Sequence, residues 1–145
     1  MKSNVKMSKA EQLLDLLLRV PLFEMASLRT EVRNKIESYS IMLLSHLVLV
    51  EIFSAKKSSK LALNLDHWQT EIQTFKGSIR RANKKLGKSK FSQSELYDIL
   101  TDDDNDDTCN DVYYNLKVKY DITIDEVTSV MPDALWRLKD ILVGV

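Results

Sequence analysis

Two histidines, one cysteine, a run of aspartates and a cluster of cations are the side chains in this 145-residue chain whose types and spacing suggest chemistry. His46 is the first candidate, since an imidazole serves as a general base or a metal ligand near neutral pH. At helical spacing its neighbours are Met42, Leu43, Leu49 and Val50, with no second histidine or acid among them. Helical metal sites usually present paired ligands, and His46 has no such pair. The expectation is therefore a neutral core histidine, its ring nitrogens bonded to an opposing helix. His67 precedes Trp68 on another helix, and His46 with Trp68 forms the candidate pair where two helices would face each other.

The run Asp102, Asp103, Asp104, Asn105, Asp106, Asp107 imitates the opening of a calcium loop. The imitation ends at its sixth position, Asp107 instead of Gly, and at its twelfth, Tyr113 instead of Glu. A solvated acidic loop is expected. Cys109 stands among acids, which disfavour a thiolate, so it is a poor nucleophile. The three glycines, Gly77, Gly87 and Gly144, form neither a phosphate-binding loop nor a nucleophile elbow. No catalytic residue, cofactor or metal is assigned, and an enzyme is the least supported class.

The cations form a pattern of their own. Lys76, Arg80 and Lys84 make a ridge at i+4 spacing, with Arg81, Lys85 and Lys88 beside it. Such a face suits a polyanion or an acidic partner. The total charge is zero, with 21 Lys+Arg against 21 Asp+Glu, yet this balance joins two opposed blocks. Residues 56–90 carry ten cations and two acids, a net +8; residues 91–111 carry eight acids and no cation, a net −8. Self-neutralisation of a solvated surface is the simpler outcome, and a basic face masked by the acidic loop the sharper one.

Helices must position these groups. Three Gly and two Pro are too few for the turns of an all-β chain. Ser8 and Glu11 form a capping box that opens a helix over about 9–19, and Pro21 fits the first turn of a second. The second helix is expected to run over about 21–54. Along it Met25, Leu28, Val32, Ile36, Tyr39, Leu43, His46, Val50 and Phe53 share one stripe. Its apolar stretch, Ile41–Phe53, interrupted by Ser45, His46 and Glu51, is short for a bilayer and reads as a buried core helix. A polar connector, 54–60, leads to a helix over about 65–86, with Asn64 as N-cap and Gly87 as stop. That helix carries Trp68, Ile72, Phe75, Ile79, Ala82 and Leu86 on one side and the cations on the other. Ser92 with Glu95 caps a short helix over 93–100. Further helices are expected over 108–120 and 134–142, the last opened by Asp133, with one helical turn at Thr123–Glu126 between them. Residues 1–7 are expected to be disordered and 101–107 to be the acidic loop.

The stretch Arg33 to Ile79 resembles domain-of-unknown-function family twenty-nine, small bacterial proteins common in cyanobacteria. Leu43-Leu44-Ser45-His46-Leu47 is similar to that family's Leu-Leu-x-His-Leu motif, and His67-Trp68 to the pair that opens its second helix. Ile72 and Ile79 follow at the family's apolar steps, with Lys76 where the family tends to have Arg; Phe23 to Leu28 resembles its upstream segment, and Met131-Pro132 with Leu138 to Leu142 its closing one. Leu49-Val50 stands where the family has Lys-Trp, and the closing Cys-Pro is absent. The resemblance implies an all-helical bacterial domain with no established activity.

The sequence thus predicts a single all-α bundle built on helix 21–54 packed against helix 65–86. The expected function is a non-catalytic protein-interaction or regulatory module, with an unknown protein or a second copy as partner. The alternative is a nucleic-acid binder using the basic face. One cysteine and no apolar leader in Met1–Lys9 fit a reducing cytoplasm, with no membrane partner.

Overall fold

The computed structural model describes residues 8–56, 60–101 and 105–145. They form six α-helices and, among the described residues, no strand. The helices are α1 (Lys9–Glu37), α2 (Ser40–Ser54), α3 (Leu65–Lys84), α4 (Gln93–Thr101), α5 (Asn105–Lys117) and α6 (Ile124–Ile141). Short 3-10 turns, Lys60–Asn64 and Gly87–Ser89, flank α3. The architecture is the expected all-α bundle.

Three capping boxes are in place: Ser8 with Glu11, Ser92 with Glu95, and Thr123 with Glu126. Each satisfies two backbone N–H groups that a helix start leaves without partners. Gly87 ends the α3 segment at φ +55°, a left-handed conformation that glycine enters without steric cost. Asn64 sits at the N-cap of α3, but its side chain makes no capping bond.

Two boundaries fall elsewhere than expected, both because of proline. Helix α1 continues through Pro21, so the expected break between 19 and 21 is absent. The proline removes one N–H from the ladder; the carbonyl it leaves belongs to Leu17, an exposed residue that water can solvate. Helix α6 likewise continues through Pro132, so the capping box at Thr123 opens one 18-residue helix and Asp133 opens none.

The expected helix 21–54 is in turn divided at Ser38–Tyr39. There the Ser38 hydroxyl donates to the Lys35 carbonyl, and the Tyr39 N–H bonds Ile36 in a tighter turn. A serine that bonds the backbone locally competes with the helical ladder. The Ser40 hydroxyl donates across to the Leu100 carbonyl at the end of α4, fixing the new direction. The apolar stripe survives this break: Val32, Ile36, Leu43, Val50 and Phe53 are buried, and Met25, Leu28 and Tyr39 pack half-buried against the core.

Helix α2 is the central element. It packs on α3, α5 and α6 and touches α4, and nine of its fifteen residues are buried. By length and composition alone, an 18-residue window within Lys9–Ser54 would suit a bilayer, and 56% of that window is buried inside the bundle. Helix α1 joins the bundle through its C-terminal half, which lies on α3 and α4.

Candidate functional site

Helices α2 and α3 run antiparallel, and their seam is lined with rings. His46 lies 5.6 Å from Phe75 between centroids, and Phe53 lies 5.4 Å from Trp68. Trp68 also meets the edge of Tyr120 at 5.8 Å. The candidate pair His46 and Trp68 therefore shares a seam without sharing a contact: Phe75 and Trp68 are seven residues apart, about 10 Å along the helix.

The Nδ1 atom of His46 lies 2.6 Å from the Met42 carbonyl, one turn back on its own helix. The expected bond to an opposing helix is replaced by this local one. The ring is half-buried, and it does not line the cleft described below. Among the described residues no group of three His, Cys, Asp or Glu side chains could hold a metal ion.

The basic face is real as geometry. Arg80, Arg81, Lys84, Lys85 and Lys88 are exposed, and Lys76 is half-buried. Among the described residues, ion pairs are Arg29–Glu95, Lys56–Glu126 and Arg137–Glu51, so none of the six joins an acid. Arg81 instead donates to the Ser78 hydroxyl at 3.2 Å. Asp102, Asp103 and Asp104 of the expected acidic loop lie outside the described residues, as do residues 1–7; Asp106 and Asp107 fall within α5.

The acids of α4 face α1 instead of the basic back of α3. Arg29 donates to Glu95 at 2.9 Å and to the Ser89 carbonyl at 3.2 Å, with its guanidinium 4.3 Å from the Phe91 ring centre. The Ser92 N–H first, then Arg29, holds the Glu95 carboxyl below its ordinary range. Burial, then Asp98, raises the neighbouring Tyr97 hydroxyl.

One cleft of about 510 Å³ lies among α2, α3 and α6, lined by Gln69, Gln73, Lys76, Arg137 and Asp140 over an apolar floor. Glu51 fixes Arg137 there at 2.8 Å. The cleft can hold a small polar group.

The most unusual surface is apolar. Leu13, Leu14, Leu16, Leu17, Leu22 and Phe23 are 58–72% exposed, although all lie on one helix. Half-buried Asp15 apart, every residue from Lys9 to Leu17 is exposed. The N-terminal half of α1 is thus an arm outside the bundle. Leu13, Leu14, Leu16 and Leu17 are the apolar surface of the short helix expected over about 9–19. The missed signal is the width of the apolar arc, more than half of the helix circumference, in a segment joined to the bundle at one end.

Fold and surface together define an all-α bundle with an apolar arm and a basic helix back. No family model, no curated protein and no solved structure matches the chain.

Proposed function

We propose that this protein is a non-catalytic interaction module that docks through the N-terminal arm of α1. The observation that carries the reading is the arm's apolar area. Six large side chains more than half exposed present roughly 600–700 Å² on one short segment, at or beyond the ~300–600 Å² of the largest patch on an ordinary monomer. The resemblance to a helical bacterial family without established activity agrees with it. A reducing cytoplasmic setting belongs to the same proposal, supported by the single cysteine. The test compares the full chain with the double variant Leu13→Asp, Leu17→Asp. Loss of association with an unchanged thermal midpoint supports the reading; association that survives both substitutions counts against it.

The second reading, a nucleic-acid binder, is favoured by one specific observation: the six cations of the α3 back lack acidic partners among the described residues. It expects retention of DNA or RNA at low salt, lost as salt rises, and stronger when Asp102–Asp107 is deleted. No retention at low salt by either form ends that reading.

A further inference from the structure

We infer that the occupant of the arm is a second copy of this chain, with the two arms antiparallel about a two-fold axis between Leu16 and Leu17. The inference rests on the arm being an interaction surface and specifies its partner.

Charge placement carries it first. At 100° per residue, Leu13, Leu16, Leu17 and Phe23 fall within about 120° of the helix circumference. Lys9 and Glu24 fall in the same sector, one at each end of the stripe, and both are exposed. Fifteen residues separate them, about 22 Å along the axis. Antiparallel pairing sets Lys9 of each copy against Glu24 of the other and Leu16 against Leu17. Parallel pairing would set lysine on lysine and glutamate on glutamate. A stripe with opposite charges at its two ends is complementary to itself under a two-fold axis, the commonest oligomer symmetry.

Area carries it second. Leu13, Leu16, Leu17 and Phe23, 58–70% exposed, supply roughly half of the ~800 Å² per partner of a standard specific interface. The rim of the arm and the polar side chains beside the stripe supply the remainder.

Helix energetics agree. A helical segment of about a dozen residues is marginal in water without packing, and Pro21 weakens the link between the arm and the packed half of α1. A second arm supplies the missing packing to both. A lipid surface fits less well. Interfacial helices carry Lys and Arg on their polar face, whereas Lys9–Glu24 holds two cations, Lys9 and Arg19, against three acids, Glu11, Asp15 and Glu24.

The test is analytical ultracentrifugation of the full chain and a charge-swap set. The wild type is expected to be a dimer at micromolar concentration. Lys9→Glu and Glu24→Lys each weaken dimerisation roughly tenfold, since both symmetry-related pairs become repulsive. The double variant Lys9→Glu, Glu24→Lys restores it, which a merely damaged fold would not. Circular dichroism of every variant checks the bundle. A strict monomer at 100-fold higher concentration (on the order of 100 µM) overturns the inference, as does a dimer unaffected by Leu13→Asp, Leu17→Asp. If that monomer floats with phosphatidylcholine–phosphatidylglycerol vesicles, or holds a different protein through the arm, the second-copy inference fails and the docking arm stands. If the monomer does neither, both fail.

Discussion

Asn83 is the sharpest place to test the packing of the bundle. Its side chain is fully buried near the end of α3. Its Oδ1 accepts from the Phe91 N–H at 2.7 Å, and its Nδ2 donates to the Phe91 carbonyl at 3.0 Å. One amide thus takes the place of a strand-like neighbour for the connector between α3 and α4. A longer contact, 3.4 Å, reaches the Val145 carbonyl. In Asn83→Ala the Phe91 N–H is left buried without an acceptor, which costs about 1–3 kcal/mol, and the donated bond adds about 0.5–1.5 kcal/mol. The 3.4 Å contact is too long to count. The expected loss is about 2–4 kcal/mol, a large share of the ~5–15 kcal/mol that ordinary domains possess. Urea unfolding followed by circular dichroism reads it as a midpoint lowered by roughly 1–2 M at an ordinary slope near 2 kcal/mol/M. Asn83→Asp separates volume from hydrogen bonding: it keeps the shape and the acceptor but turns an oxygen toward the Phe91 carbonyl, so it too is destabilised. Amide exchange at Phe91 should accelerate in Asn83→Ala. A loss below about 0.5 kcal/mol, the range of surface substitutions, would refute the reasoning.

Three further outcomes follow from contacts described above. Arg29→Ala removes an exposed ion pair, a bond to the Ser89 carbonyl and a ring contact, and should cost about 1–2 kcal/mol in the same unfolding assay; Arg29→Lys should recover only part, because one ammonium cannot serve all three. The bond from Lys56 first, then the Thr123 N–H, lowers the Glu126 carboxyl; the stability it supplies is present above the unfolded glutamate value, ~4.3, and is lost as pH falls through the lower folded value. Glu126→Gln should therefore flatten the stability curve on the acid side of that point, and an unchanged acid limb would contradict the assignment. Trp68 is 2% exposed and Trp136 72%, so iodide should quench Trp68→Phe strongly and Trp136→Phe weakly.

What could be read from the residues was whatever depends on local periodicity. The stripe from Met25 to Phe53 and the seam from Trp68 to Leu86 point inward as their spacing requires, and the capping boxes at Ser8, Ser92 and Thr123 begin helices. Proline misled because its effect depends on surroundings. At Pro21 and Pro132 the helix continues, whereas at Ser38–Tyr39 a serine–carbonyl bond and an anchor on α4 divide the chain far from any proline. Charge misled in a similar way. The sequence places Glu95 in an acidic block beside the α3 cations, but its carboxylate turns to Arg29, sixty-six residues upstream. Such a pairing is set by how α1 crosses α4, which no local pattern encodes. His46 was expected to bond an opposing helix, and it bonds its own.

The central position of α2 has a consequence for the order in which the chain can fold. Its partners α3, α5 and α6 all follow it in sequence, and the last buried contact of the bundle, Leu142, lies almost ninety residues beyond Phe53. Synthesis at roughly 5–20 residues per second therefore leaves the most apolar segment of the protein uncovered for several seconds on every ribosome. During that interval α2 presents to chaperones and membrane-targeting factors the same leucine- and valine-rich run that the finished fold conceals. The time for which it stays uncovered is set by how quickly the residues between Phe53 and Leu142 are made, so slower translation would prolong that exposure with the sequence unchanged.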